Sequence, residues 1–152
     1  MKLDELLAEE TRWVEKFVQL LTDEQKMLTS SQVSDLQSIT DQKNSLIELL
    51  TKIASQRDEL LRAAGLPASS DGLIAWVTIN ADQALSHLFD RLKQISSEAK
   101  RLNELNAQLV NIRLQVTQQA LSVLLPQEQS PALYDPLGQS SQRVGYKLID
   151  SA

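Results

Sequence analysis

The fold is decided by residues 82–125, DQALSHLFDRLKQISSEAKRLNELNAQLVNIRLQVTQQALSVLL. Leu88, Ile95, Leu102, Leu109, Val116 and Val123 stand seven residues apart along this stretch, flanked by Leu85, Leu92, Ala99, Leu105 and Ile112. An apolar residue at every heptad position predicts one long amphipathic helix with a single buried stripe. Asn80-Ala81-Asp82 offers a start and Pro126 cannot continue the turn, so this helix is expected over about residues 82–125.

Upstream the pattern repeats in two shorter pieces. No glycine or proline falls in residues 1–64 or 73–125, and β-branched residues are scattered rather than alternating, so an all-α protein is expected. Leu6, Trp13, Leu20 and Met27 form one heptad line and Leu7, Val14, Leu21 and Leu28 its neighbour, which predicts a first helix over 3–29. Capping residues gather at 29–35, where Ser34 and Gln37 have the spacing of a capping box. A second helix is expected over 34–64, with Ile39, Leu46, Ile53 and Leu60 on its apolar line and Leu36 and Leu50 beside it. It stops at Ala64-Gly65-Leu66-Pro67. A linker over 65–72 leads to a short apolar helix over 73–79, whose Trp76 and Ile79 are expected to cap the end of a bundle. Residues 126–152 hold three prolines, two glycines and both tyrosines, Tyr134 and Tyr146, and are expected to form a flexible tail. The architecture is thus an antiparallel three-helix bundle, up, down and up, with a longer third long helix.

Length has a consequence. At 1.5 Å per residue the three long helices measure roughly 40, 46 and 66 Å, so the last overhangs its partners by about 20 Å, near residues 110–125. The stripe continues there through Ile112, Val116, Ala120, Val123 and Leu124. Residues 105–125 carry a single charge, Arg113, where the chain's 23% charged composition would place about five, and depletion of charge marks the buried centre of an interface. A heptad stripe is ordinarily internal core, and that reading suits Leu88 to Leu105. Past Leu109 the partners run out, and the cover is the 73–79 segment, a second copy of the chain or another protein.

Chemistry-bearing constellations are scarce. There is no cysteine, which removes disulfides, thiolate catalysis and thiolate metal sites. His87 is the one histidine, and Ala84 stands where a helical Glu-x-x-His ligand pair would need a carboxylate. Glycines are too far apart for a phosphate-cradling loop. Neither an enzyme nor a cofactor is therefore expected. The net charge of −5 and pI of about 4.9 argue against nucleic acid as a partner. The acidic start Met1-Lys2-Leu3-Asp4-Glu5 and the lack of a bilayer-length apolar run argue against a secretory signal and membrane insertion, which makes the cytoplasm the expected address. The carboxylate pairs Glu9-Glu10, Asp23-Glu24 and Asp58-Glu59, with Arg12, Lys26 and Arg62 nearby, read as a solvated face. Asn103 and Asn106 flank the seam residues Leu102 and Leu105, where a polar group commonly fixes register.

An acidic, cysteine-free three-helix chain of this length resembles the FlgN-type flagellar export chaperones. The likeness runs through Asp23-Glu24-Gln25 to Ile39-Thr40-Asp41-Gln42-Lys43, the run Leu102-Asn103-Glu104-Leu105-Asn106, and the tail Leu133-Tyr134-Asp135-Pro136-Leu137-Gly138-Gln139-Ser140. The last two carry its specificity. The chain departs from the family's pattern at Asp135, where glycine commonly follows the tyrosine. The resemblance implies a non-enzymatic cytoplasmic chaperone that holds C-terminal segments of hook-associated proteins unpolymerised and delivers them to the flagellar export gate. It places client binding in the C-terminal part, here Leu109, Ile112, Val116, Ala120, Val123 and Leu124, and implies a contact of Tyr134 with the export gate. The alternative is a self-associating structural coiled coil, a homodimer through the same overhang.

Overall fold

The computed structural model describes residues 2–30 and 34–124, which form four helices: α1 (Leu3–Thr29), α2 (Leu36–Ala63), α3 (Ser70–Asn80) and α4 (Gln83–Leu124). No strand occurs among the described residues, so the all-α class holds. Residues 125–152, including Tyr134, lie outside them.

Side-chain pairs give the helix directions. Glu10 and Glu24 of α1 meet Arg57 and Lys43 of α2, so α1 and α2 are antiparallel. Glu15 meets Arg91, Glu24 meets Asn106, and the Met27 and Ser30 carbonyls meet Arg113, so α1 and α4 run the same way. The result is the expected up, down and up course. α1 packs along both long partners, whereas α2 and α4 barely approach each other. That central place explains why α1 buries residues on more than one line: Leu7, Val14, Leu21 and Leu28 as the heptads predict, and also Leu3, Glu10, Phe17 and Glu24.

This second line corrects the reading of the carboxylates. Glu10 and Glu24 are buried in the α1–α2 seam, not solvated. The Arg57 guanidinium donates to Glu10 at 2.6 Å, and the Lys43 ammonium donates to Glu24 at 2.9 Å. Asn106 Nδ2 donates at 2.8 Å to the other oxygen of Glu24 and at 2.8 Å to the Leu21 carbonyl, so a buried polar layer spans α2, α1 and α4. Asn106 thus occupies the seam position anticipated for a register-setting residue. Asn103 is exposed.

The helix ends show how the connections are held. α2 stops in a left-handed turn at Gly65 (φ +75°), with Leu66 N–H donating to the Leu61 carbonyl and Gly65 N–H to that of Arg62, the paired closure of a Schellman motif. Its start differs from the expectation. Leu36 is the first helical residue, Asp35 makes no side-chain cap bond, and Gln37 bonds Asp41 rather than completing a box with Ser34. α3 begins three residues before the expected 73, because the Ser69 hydroxyl accepts from Gly72 N–H and sets the first turn back to Ser70. Gly72 is required there: a Cβ would stand 1.8 Å from the Pro67 carbonyl oxygen. Leu73 is fully buried and Trp76 packs on the core, while Ile79 is exposed and caps nothing. Asp82 caps α4 by accepting from Ala84 N–H at 2.9 Å.

Breaking a buried ion pair from one side strands the other charge in the interior, at a cost of about 3–5 kcal/mol. Glu24→Leu is therefore expected to lower unfolding free energy by about that amount in urea denaturation, and Glu24→Leu with Lys43→Met to recover most of it. An unchanged midpoint in the single variant would show that the layer does not hold the helices.

Candidate functional site

Arg113 marks where the bundle ends. Its guanidinium donates to the Met27 carbonyl at 3.3 Å and to the Ser30 carbonyl at 3.2 Å, placing a cation on the last carbonyls of α1, where the helix dipole favours one. α1 ends at Thr29, whereas α4 runs on to Leu124. Residues 114–124 therefore project beyond α1 by roughly 16 Å, at 1.5 Å per residue.

The projecting arm keeps its apolar stripe. Ile112, Val116, Leu121, Val123 and Leu124 are 55%, 59%, 44%, 85% and 78% exposed. Ile95 and Leu102, lower on the line that leads to Val116, are 5% and 4% exposed. Of the residues expected to form a binding surface, Val116, Ala120, Val123 and Leu124 are exposed on the arm and Ile112 is exposed at its base. Leu109 is half-buried, at the boundary with the bundle. α3 lies against α2 and α4 near the start of α4 and does not cover the arm. The 73–79 segment is thereby removed from the possible covers named by the sequence.

The electrostatics of the arm are those of a neutral surface. Arg113 is its one charge among the described residues, and that charge is turned back onto α1. The nearest exposed ion pair on α4 lies about three helical turns below Arg113. Arg101 hydrogen-bonds Glu98 there and holds that carboxyl below its ordinary value.

Leu114 and Leu121 also belong to the arm's apolar surface, half-buried and exposed respectively, and lie off the line that the heptad reading followed. The signal that finds them is a change of character along their own line. Ser86, Lys93 and Lys100 precede them at seven-residue steps, with Ala107 at the junction. The buried carboxylates had a comparable signal, since Leu3, Glu10, Phe17 and Glu24 alternate apolar and acidic on one line while Leu36, Lys43, Leu50 and Arg57 alternate apolar and basic on another.

Elsewhere the molecule offers little chemistry. Among the described residues no three His, Asp or Glu side chains are grouped to hold a metal ion, and no helix is long and apolar enough to cross a membrane. His87 is exposed. An open cleft between the end of α1 and the start of α2 has Leu20, Met27 and Ile39 on its walls and Asp23, Lys26 and Asp35 at its rim.

Comparison with known proteins gives concordant results. The family model described as FlgN protein matches residues 1–142. The flagella synthesis protein FlgN of Salmonella typhimurium is 32% identical over 97% of both chains, and that of Salmonella typhi matches equally. The fold is similar to the crystal structure of a flagella synthesis protein from Pseudomonas aeruginosa, with a TM-score of 0.61 and 24% identity over 70% of this chain and 84% of that one.

The exposure difference along one heptad line predicts opposite responses to charge. Val116→Asp with Val123→Asp should change unfolding free energy by less than about 1 kcal/mol. Ile95→Asp with Leu102→Asp should unfold the domain, because it buries unpaired carboxylates. Thermal melts by circular dichroism measure both, and a melt many degrees lower for the first variant would make the arm core.

Proposed function

The chain belongs to the FlgN family, and from that membership we propose that it is a cytoplasmic flagellar export chaperone, a binding protein and not an enzyme. Its clients are C-terminal segments of hook-associated proteins, which it keeps from polymerising prematurely and delivers to the export gate. The observation that carries this reading is the projecting end of α4, which presents Ile112, Val116, Val123 and Leu124 to solvent with no charge among them. Apolar side chains left in water at the end of a helix are ready for an amphipathic partner helix, with burial contributing about 1.5–3 kcal/mol for each large side chain.

The physical requirements of a chaperone that must release its client are met by such an arm. Ordering a client segment on it offsets part of the burial, so affinity is moderate and release needs no chemical step by the chaperone. Leu109, Ile112, Val116, Ala120, Val123 and Leu124 form the client surface in this proposal. Tyr134, which lies outside the described residues, makes the export-gate contact on the strength of the family resemblance. Self-association through the arm is the weaker reading, because residues 114–124 span less than two heptads and isolated pairings that short are marginal in water.

Purified full-length chain is expected to co-purify with a C-terminal segment of a hook-associated protein as a one-to-one complex by size exclusion with light scattering. The Val116→Asp, Val123→Asp variant should lose at least tenfold in affinity by calorimetry while keeping its melting profile. Wild-type affinity in that variant would place the client elsewhere.

A further inference from the structure

The arm is apolar on more sides than one partner helix covers. Within the bundle α4 buries residues on three adjacent heptad lines: Leu85, Leu92, Ala99 and Asn106; Ile95 and Leu102; and Phe89 and Ser96. The flanking lines there are charged, with Arg91 and Glu98 on one side and Lys93 and Lys100 on the other. Toward the end of α1 and beyond it both flanking lines change. Arg91 and Glu98 give way to Leu105 and Ile112, with Gln119 following, and Lys93 and Lys100 give way to Leu114 and Leu121. Gln115, Gln118, Gln119 and Ser122, with Gln108 and Asn111 below them, share the opposite arc of the helix, and Thr117 lies within the apolar one; none of these is charged.

At 100° per residue, Ile112, Val116 and Val123 lie on one side of the arm and Leu114 and Leu121 on the other, enclosing an arc of roughly 200°. Between them run Arg113, Thr117, Ala120 and Leu124, the continuation of the lines that α1 covers lower down. An amphipathic helix presents an apolar stripe of about 100° and covers a comparable arc of its neighbour. Inside this bundle three lines on α4 are buried, whereas the arm offers apolar residues on two more.

We infer that the arm is gripped from two sides, by two amphipathic helical segments of the client terminus: one against Ile112, Val116 and Val123, the other against Leu114 and Leu121. The occupant's chemistry follows from the surface. The contacting faces are aliphatic and uncharged, because the arm's one charge, Arg113, is turned back onto α1, and the arm's glutamine face stays in water. Both client segments adjoin an interface already present, since they lie alongside the continuation of the lines that α4 buries in the bundle. α4 then serves as the central helix of a second, intermolecular bundle, as α1 serves in the first. This rests on the chaperone reading and makes it more specific.

The absence of cysteine gives a direct test. Full-length chains carrying Val116→Cys or Leu121→Cys are labelled with an environment-sensitive fluorophore, checked for unchanged melts, and titrated with a hook-associated protein C-terminal peptide of about 40 residues, room for two helices of ordinary length. The inference predicts that iodide quenching falls several-fold at both positions with one shared midpoint, and that half-length peptides protect one position each. Protection at Val116 alone by the full peptide would mean a single helix on one side, overturning the inference while leaving the chaperone reading intact. Protection at neither position would overturn both. Labels already shielded without peptide would mean that the chain's own residues 125–152, or a second copy if dilution exposes them, occupy the arm, which would also overturn the inference.

Discussion

Two buried ion pairs fix the geometry on which everything else in this molecule depends. Glu10 meets Arg57 and Glu24 meets Lys43, with Phe17 and Leu50 at the intervening positions of the two lines. A slip of one heptad that set Glu10 against Leu50 would also set Glu24 against Leu36, Lys43 against Phe17 and Arg57 against Leu3. Burying an unpaired charge costs far more than the apolar contacts such a slip could recover. The pairs therefore contribute more to uniqueness than to net stability, since a well-packed apolar substitute is often no less stable. Asn106 passes the same constraint to α4 through Glu24 and the Leu21 carbonyl.

Once that register is set, the length of the arm is no longer free. Asn106 sits opposite the end of α1, Arg113 reaches the last carbonyls of α1 two turns later, and the rest of α4 has no long helix beside it. The protein thus tolerates an exposed aliphatic surface that would ordinarily be buried or removed, and surfaces of that kind mark interaction sites in soluble proteins. The glutamines and serine on the arm's remaining face keep it hydrated without adding charge that would repel or select a partner. The arm, rather than any pocket, accounts for the proposed role. It offers area and neutrality, and the client supplies the complementary amphipathic faces.

Much of this was legible in the sequence because helices advertise themselves by periodicity and breakers. The Leu88 to Val123 line, Gly65 with Pro67, and the capping residues near 29–35 located the long helices to within two residues where the structure describes their ends. Length alone then exposed the overhang. What escaped had a common physical origin: a local rule was applied where a tertiary partner decides. Glu10 and Glu24 read as solvated because neighbouring carboxylates usually are, yet the basic residues that neutralise them are 47 and 19 positions away. The start of α3 moved because a single hydroxyl, Ser69, captured Gly72 N–H. Leu114 and Leu121 were passed over because they stand roughly 140–160° round the helix from Val116, on a line that carries Lys93 and Lys100 lower down.

α4 is one helix with two environments, covered by its own chain up to Asn106 and open to a partner beyond Arg113. Amide hydrogen exchange of the full-length chain, alone and with a hook-associated protein C-terminal segment, measures both halves at once. Residues 85–106 should exchange slowly in both states, while residues 114–124 should exchange quickly alone and become protected by at least about an order of magnitude in the complex. Slow exchange of 114–124 in the free chain, or client-induced protection confined to α1, α2 and α3, would contradict this division of α4.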